Sequence, residues 1–297
     1  MTPTYLKKGD TVAITCPAKK LPRDINDAVR LIESWGLNVV LGETVFAEDN
    51  QYAGDDELRS KDFQRFLDDP NVKAIFAARG GYGTIRIIDK INFESFARQP
   101  KWIIGFSDIT VLHSHIYALF KVQTIHGQMP LTIPDGTKPS LETLRKALFN
   151  ESFDYQYESL AVNKTGEATG ILIGGNLTLL IAMMGSVSDI DYHGKILFLE
   201  DVGEYLYSID RMMWILKRSG KLSQIKGLII GSFTELKDNE IAFGKTANEI
   251  ISEHVSGYSY PVCFDFPAGH IEDNHALILG KTVNLKAAQQ KVHLTYL

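Results

Sequence analysis

Short apolar segments alternate with amphipathic segments along the chain from Thr11 to about Gly127. The apolar segments have the length and composition of buried strands, and the segments between them repeat their apolar residues with helical spacing. Strands that alternate with helices predict a parallel sheet covered on both faces. The predicted strands are TVAITC, LNVVLG, VKAIFAA, KWIIGFS and VQTIHG.

The pattern changes after this region. Between Gln128 and Gly166 a proline-rich segment, MPLTIPDGTKPS, is followed by one predicted helix, SLETLRKALF. From Gly170 onward there are more strands, including three short ones near Val262, Ala276 and Val292, and fewer crossover helices, which predicts a mixed, barrel-like sheet. We therefore expect an α/β protein with a Rossmann-like, parallel-sheet domain at residues 1–130, a connection at 131–165 and a barrel-like α/β domain at 166–297.

The segment KWIIGFSDIT, residues 101–110, has a serine between a predicted strand and a predicted helix. Such a turn places the hydroxyl outside the sheet, as in a nucleophile elbow, although Ile109 replaces the last glycine of the hydrolase pattern. The backbone N–H groups of Ser107 and Asp108 then lie at a helix N-terminus, where negative charge is stabilised. Ser107 is a candidate nucleophile, and an ordinary helix cap is the alternative.

A serine nucleophile needs a base and a third group that orients the base. His270 is the candidate base, because it follows a predicted strand end in the segment FPAGH and lies on a loop. Among the eight histidines, His275 is the nearest alternative. Glu200 ends the apolar strand KILFLE, where a buried carboxylate needs a partner such as an imidazole N–H. Asp201 and Glu204 are alternatives to Glu200 as the orienting acid.

Glycines follow the third predicted strand in the segment RGGYG, residues 79–83. They let backbone N–H groups approach a ligand closely, which suits an oxyanion or a phosphate. The segment lacks the spacing of a dinucleotide-binding loop. Both RGGYG and GFSDIT fall at the carboxyl ends of parallel strands, where such sheets bind ligands, and we expect the two loops to be neighbours.

Composition narrows the function classes. The 297 residues carry a formal net charge of −5, with 44% hydrophobic and 23% charged residues, as is ordinary for a globular protein. No basic run indicates a nucleic-acid partner, and no apolar stretch has the length of a signal peptide or a membrane span. The expected location is the cytoplasm. Cys16 and Cys263 are expected to be buried thiols, and no spacing of ligands indicates a metal.

Six motifs, taken in order, resemble one family. From about Lys8 to about Lys286 the chain is similar to the LD-carboxypeptidases, or muramoyltetrapeptide carboxypeptidases, a serine peptidase family that includes the microcin C self-immunity proteins. The resemblance implies a two-domain enzyme without a cofactor, with its active site in the cleft between the domains, and a homodimer. The six motifs are YAGDDELR, RGGYG, GFSDIT, GGNL, LFLED and FPAGH.

The resemblance also assigns roles to individual residues. It implies a catalytic triad of Ser107, His270 and Glu200. It implies an oxyanion hole formed by the backbone N–H groups of Gly81 and Asp108.

Other polar residues have open or simpler interpretations. Arg79 is expected either to bind the free carboxylate of a substrate or to pair with a nearby acid. Asn176, after two glycines, is expected to cap a helix. Asp210 and Arg211 are expected to form an ion pair.

The activity implied by the resemblance is removal of the terminal D-alanine from murein tetrapeptides during wall recycling. The bond cleaved joins an L-configured centre of the diamino acid to D-alanine, so the expected partner is a small peptide. One alternative is a related amide hydrolase that clears a peptide-nucleotide antibiotic. Another is a non-catalytic module that holds a phosphate or a sugar with its glycine-rich loops.

Overall fold

The computed structural model describes all 297 residues, and the chain divides into two compact units. The first unit comprises Met1–Ser152 and Glu272–Ile278. The second comprises Phe153–Ile271 and Leu279–Leu297. No helix is both long and apolar enough to cross a membrane.

The first sheet has six strands, numbered here along the chain, in the order β11-β5-β4-β3-β1-β2. The pairs β1/β2, β1/β3, β3/β4 and β4/β5 are parallel, as the alternation of strands and helices predicted. The central strands are buried because helices cover the sheet. The strands are β1 (Thr11–Thr15), β2 (Asn38–Leu41), β3 (Val72–Ala77), β4 (Trp102–Gly105), β5 (Thr124–His126) and β11 (Leu277–Leu279).

Six helices belong to the first unit. The helix after the glycine-rich segment is shorter than its neighbours and continues as a single 3₁₀ turn at Ile88–Lys90. The second helix begins where the carboxylate of Asp55 accepts the N–H of Leu58 at 2.7 Å. The helices are α1 (Asn26–Ser34), α2 (Asp56–Asp68), α3 (Thr84–Ile87), α4 (Glu94–Arg98), α5 (Thr110–Phe120) and α6 (Lys138–Phe149).

The second sheet has seven strands in the order β10-β9-β8-β7-β12-β13-β6. Strands β7 to β10 pair in parallel, whereas β7/β12, β12/β13 and β13/β6 are antiparallel, so the sheet is mixed as predicted. The strands are β6 (Asp154–Glu158), β7 (Gly166–Asn176), β8 (Lys195–Val202), β9 (Gly227–Thr234), β10 (Val262–Cys263), β12 (Thr282–Ala287) and β13 (Lys291–Tyr296).

Four helices belong to the second unit. The last of them begins with a capping box, in which the Thr246 hydroxyl accepts the Glu249 N–H and the Glu249 carboxylate accepts the Thr246 N–H. The helices are α7 (Leu177–Ala182), α8 (Leu206–Arg218), α9 (Lys221–Gln224) and α10 (Ala247–Val255).

Three expectations about the fold have different outcomes. The strand near Ala276 was expected in the second sheet, but it is β11, at the edge of the first sheet beside β5. The domain boundaries at 130 and 165 stay predictions, because a division by contacts does not test which segments fold independently. Cys16 and Cys263 are buried free thiols, and burial raises the pKa of each to about 12.

Candidate active site

Ser107 lies at a sharp turn between β4 and α5. The strand ends at Gly105, and Ser107 has a φ of 63°, a left-handed conformation that is strained for a residue with a side chain. A 3₁₀ turn over Ser107–Ile109 follows, so α5 begins at Thr110, two residues after the predicted start at Asp108. The predicted elbow is therefore present, and the strain concentrates at the candidate nucleophile.

His113 ties the helix back to the strand before the turn. Its ring Nε2 donates a hydrogen bond to the carbonyl of Gly105 at 2.9 Å. Burial lowers the pKa of His113 to about 4, although the bond to Gly105 opposes this, so the ring is neutral near pH 7. His113 is thus structural, and it fixes both sides of the Ser107 turn.

The glycine-rich segment packs directly against the Ser107 turn, as predicted. A β-carbon added at Gly80 would lie 3.0 Å from the Cβ of Ser107 and 3.3 Å from the backbone nitrogen of Asp108. Such a contact is tighter than most real β-carbons make, so this approach favours glycine. Gly81 is exposed and has a φ of 110°, which a side chain would rarely adopt.

One peptide group joins the two loops. The Gly83 carbonyl accepts a hydrogen bond from Nη1 of Arg59 at 3.0 Å. The N–H of the same peptide group, on Thr84, donates to Oδ2 of Asp108 at 2.9 Å. Burial raises the pKa of Asp108, while the bonds from Thr84 and the charge of Arg59 oppose the shift. We call this arrangement of Arg59, Asp108 and the Gly83–Thr84 peptide the loop clamp.

Arg59 was missed as a functional residue by the sequence analysis, although it ends the motif YAGDDELR. Its side chain is fully buried and also donates to the carbonyls of Pro17 at 2.7 Å and Gly54 at 3.2 Å. It forms an ion pair with Asp56, one turn earlier on the same helix. An arginine directed into a buried cluster of carbonyls was not detectable from its spacing in the chain.

Arg79 lies at the start of the same glycine-rich segment. Its guanidinium is half-buried and donates Nη1 to the Lys20 carbonyl at 2.7 Å. Burial lowers the pKa of Arg79. The observed bond holds a neighbouring loop, and no acid forms an ion pair with Arg79. The expected contact with a substrate carboxylate stays a prediction.

In the second unit, His270 and Glu200 form a hydrogen-bonded pair. Nδ1 of His270 lies 2.7 Å from Oε2 of Glu200, whose carboxylate is fully buried. Burial lowers the pKa of His270, but the bond and charge of Glu200, with smaller contributions from Asp201 and Glu235, outweigh it and raise the pKa above its ordinary value. Since Nδ1–H donates to the carboxylate, the Nε2 of the neutral ring carries the lone pair.

Local backbone features bring these two side chains together. Strand β8 has a register shift between Leu199 and Asp201, which places Glu200 at the irregularity. Gly269, with a φ of 121°, passes so close that an added β-carbon would lie 2.9 Å from Cβ and Oε2 of Glu200. The glycine before the histidine is therefore required by the approach of the His270 loop to the acid.

The alternative acid, Asp201, is used differently. Its carboxylate accepts from Nδ2 of Asn176 at 2.8 Å and from the Thr178 N–H at 2.9 Å, at the start of α7. Burial and the charge of Glu200 raise the pKa of Asp201 to about 6, against the opposing hydrogen bonds. Asn176 also accepts the Leu179 N–H at 3.1 Å, which confirms the predicted helix cap.

Other histidines also pair with acids. His275, the rival base, lies 3.2 Å from Asp273 within the first unit. The expected ion pair of Asp210 and Arg211 is wrong, because Asp210 pairs with His254 at 2.8 Å and Arg211 lies over the Tyr207 ring. No group of three or more histidine, cysteine or acidic side chains forms a candidate metal site.

Comparisons with known proteins match both units of this chain. Residues 12–127 match the LD-carboxypeptidase N-terminal domain, and residues 169–285 match the LD-carboxypeptidase C-terminal domain. A probable murein peptide carboxypeptidase of Bacillus subtilis is 33% identical over 294 residues, covering 97% of this chain and 92% of its own. The chain belongs to the LD-carboxypeptidase family. It is accordingly a member of a peptidase family, and the candidate residues fall within the two matched segments.

Solved structures of relatives agree with this assignment. Muramoyltetrapeptide carboxypeptidase from Oxalobacter formigenes is 29% identical, with a TM-score of 0.87 over 96% of this chain and 98% of its own. The microcin C7 self-immunity protein MccF is 21% identical, with a TM-score of 0.89 over 99% of this chain and 98% of its own. At that identity MccF shows the shared fold alone. The mixed α/β fold with two sheets is thus the fold of the family.

Proposed function

We propose that this LD-carboxypeptidase family member is a serine carboxypeptidase that removes the terminal D-alanine from murein tetrapeptides in cell-wall recycling. The observation that carries the proposal is the strained Ser107 turn, packed against glycines at the carboxyl end of a parallel sheet. A helix cap needs no left-handed serine, whereas a nucleophile elbow does. Relatives named murein peptide and muramoyltetrapeptide carboxypeptidase support the substrate class.

In the proposed acylation step, Ser107 Oγ attacks the carbonyl carbon of the bond to D-alanine. His270 Nε2 takes the hydroxyl proton, and Glu200 stabilises the imidazolium through Nδ1–H. The carbonyl oxygen becomes an oxyanion that accepts hydrogen bonds from the backbone N–H groups of Gly81 and Asp108. Collapse breaks the carbon–nitrogen bond, and the imidazolium returns the proton to the leaving amine of D-alanine.

The second step releases the shortened peptide. A water molecule attacks the acyl carbon of the Ser107 ester while His270 accepts its proton. The ester bond then breaks, the serine oxygen regains a proton from the imidazolium, and the peptide leaves with a new carboxylate. Neither step requires a metal or a cofactor, in line with the absence of ligand spacing in the sequence.

The alternative function is hydrolysis of an amide in a peptide-nucleotide antibiotic. It rests on the fold shared with MccF, one structure of which is a complex with aspartyl sulfamoyl adenosine. The same triad would serve that reaction, because only the leaving group differs. The two functions therefore differ in the substrate that is hydrolysed. Both require turnover, whereas a binding module holds its ligand without turnover.

We also propose a finer description of the two sheets. We infer a Rossmann-like first sheet from its parallel central strands and its covering helices. We infer a barrel-like second sheet because Lys164, which follows the edge strand β6, forms an isolated bridge with Val262 on the other edge strand, β10. A cytoplasmic location and a homodimer remain expectations from the sequence and the family.

The test is release of D-alanine from a murein tetrapeptide, measured for the full chain and for triad variants. The wild-type protein should release D-alanine, and Ser107→Ala or His270→Ala should reduce the rate on the order of 10⁶-fold. An aminoacyl sulfamoyl adenosine should be cleaved slowly or not at all. Cleavage of that compound without release of D-alanine would favour the alternative, and turnover of neither would favour a binding module.

A further inference from the structure

Lys19 lies beside the glycine-rich segment, on the loop that follows β1. Its aliphatic stem passes over Gly81, so a β-carbon added there would lie 2.5 Å from Cδ, 2.8 Å from Cγ and 3.2 Å from Cε of Lys19. The end of the side chain is therefore close to the backbone of the proposed oxyanion donor. The stem also helps to explain why a residue with a side chain would be excluded at Gly81.

The Lys19 ammonium forms no hydrogen bond or ion pair with the protein, although its charge acts against the raised pKa of Asp108. Its neighbour Lys20 forms an ion pair with Glu48 at 2.8 Å, but no carboxylate or carbonyl accepts a hydrogen bond from Lys19. Asp108, the nearest acid in electrostatic terms, is buried and accepts the Thr84 N–H. A half-buried cation without an anion is suited to binding an anionic ligand.

The loop that carries Lys19 is held in place by its backbone. The Lys20 carbonyl accepts Nη1 of Arg79 at 2.7 Å. The Lys20 N–H donates to Gln51 at 3.1 Å, and the Ala18 carbonyl accepts the N–H of Ala53 at 3.1 Å. Because these bonds flank Lys19 on both sides, the position of its side chain is prepared before a ligand binds.

We propose that Lys19 binds the α-carboxylate of the C-terminal residue that the enzyme releases; this rests on the proposed function. Gly80 lies beside the nucleophile, since a β-carbon there would be 3.2 Å from Ser107 Oγ, and Gly81 lies beside the Lys19 stem. The two glycines therefore lie between Ser107 and Lys19. The carboxylate carbon of a leaving amino acid lies two bonds from the scissile nitrogen, within about 3.6 Å along the chain. In the proposed complex, the carboxylate of a peptide attacked by Ser107 lies on the Lys19 side of the glycines, within reach of the ammonium.

This role would make Lys19 a determinant of exopeptidase specificity. A peptide that continues beyond the leaving residue, or that ends in an amide, lacks the negative charge at this position. The lysine then remains without its anion, and the peptide binds less tightly. Arg79 donates to the Lys20 carbonyl and so holds the backbone of the Lys19 loop, while its own expected contact with a substrate carboxylate stays a prediction.

Binding to a protein that cannot turn over tests the proposal directly. In the Ser107→Ala background, calorimetry compares a murein tetrapeptide ending in D-alanine with the same peptide ending in D-alanine amide. We expect the carboxylate form to bind at least about 10-fold more tightly, which corresponds to about 1.4 kcal/mol. Adding Lys19→Met should abolish this preference by weakening only the carboxylate form, and Lys19→Arg should retain most of it.

Lys20→Met is the matched control, because it removes a neighbouring ammonium that is already paired with Glu48. It should leave the preference intact. In the otherwise wild-type chain, Lys19→Met should raise KM for the tetrapeptide with little change in kcat, and a fluorophosphonate should label Ser107 at the wild-type rate. A carboxylate preference that survives Lys19→Met, or that is absent from the start, overturns the proposal. If the preference depends on Lys19 but the wild-type chain releases no D-alanine, the proposed function fails while the carboxylate site stands.

Discussion

At the scale of single residues, the two parts of the proposed triad are prepared in different ways. Ser107 is held by backbone strain, with a left-handed φ of 63° that the surrounding glycines accommodate. His270 is held by a side-chain bond to a fully buried carboxylate, which fixes its tautomer and favours its protonated form. In the proposed mechanism, strain orients the nucleophile, and the charge of Glu200 stabilises the imidazolium that forms on the base.

The raised pKa of His270 sets the acid side of the pH profile. A base must be neutral to take the serine proton. We therefore expect kcat/KM to fall as the pH drops through the pKa of His270, which lies above the ordinary histidine value of 6.5. Glu200→Gln removes the charge that raises this pKa and leaves burial to lower it. The acid limb should then move to lower pH, while the plateau falls between about 10²- and 10⁴-fold.

The profile of kcat/KM against pH for D-alanine release measures this shift. Glu204→Gln is the control, because Glu204 follows the same strand in sequence and is not among the main causes of the raised pKa of His270. Its acid limb should coincide with that of the wild-type protein. An unchanged limb in Glu200→Gln would mean that another group controls the activity on the acid side.

Residues whose chemistry is local to a strand end could be predicted from the sequence. Ser107 follows β4, Glu200 lies near the end of β8, and His270 follows β10 after a loop. A polar side chain at or near the end of an apolar strand is unusual and can be recognised from the sequence. Arg59, His113 and Lys19 could not be found in this way. Their contacts join segments that are distant in the chain, and nothing in a local pattern indicates which carbonyl or glycine they meet.

At the scale of elements, the loop clamp connects the β3–α3 loop to the start of α5. The Gly83–Thr84 peptide is bonded through its oxygen to Arg59 on α2 and through its nitrogen to Asp108. Because Asp108 directly follows Ser107, the clamp relates the position of Gly81 to that of the nucleophile. An oxyanion hole requires donors fixed to within a few tenths of an ångström, and the clamp provides that constraint.

The clamp also predicts a large stability effect. Arg59→Met leaves the buried carbonyls of Pro17 and Gly54 without their donor. It also removes one of the two donors to the Gly83 carbonyl and one of the two arginine partners of Asp56, which keeps Arg86. We expect the free energy of unfolding to fall by at least about 3 kcal/mol. Arg30→Met is the matched control, since Arg30 forms a similar pair with Asp27 one helical turn away, but both side chains are about 70% exposed.

Urea denaturation followed by circular dichroism compares the two variants. Arg30→Met should change the free energy of unfolding by less than about 1 kcal/mol, as is usual for an exposed pair. An Arg59→Met protein as stable as Arg30→Met would show that the buried arginine is dispensable to the fold. The clamp would then not be the constraint that we describe.

Elements were predictable where burial is uniform. Strands β1, β3 and β4 of the first sheet are nearly continuous buried runs, and all five strands predicted between Thr11 and Gly127 are present. The strands β6 and β12 were not predicted, because their burial alternates along DYQYE and TVNLKA and their exposed positions are polar. Short strands with one exposed face resemble loops in composition, so only pairing with neighbours reveals them.

At the scale of the whole molecule, matches to both halves of the chain show the family, while one short segment late in the chain returns to the first unit. Residues 272–278 belong to the first unit, although the segments on either side belong to the second. Their strand, β11, lies beside β5 in the first sheet. A continuous domain plan could not anticipate this return, because β11 is a short apolar strand that could pair in either sheet.

The claim that underlies the whole account is that Ser107 is the nucleophile of this family member. Mass spectrometry of the full chain after reaction with a fluorophosphonate tests it most directly, because the adduct marks the attacking atom. We predict a single adduct that maps to Ser107, is absent from Ser107→Ala, and forms in step with loss of D-alanine release. An adduct on another residue, or a Ser107→Ala protein that still releases D-alanine at the wild-type rate, would contradict the account.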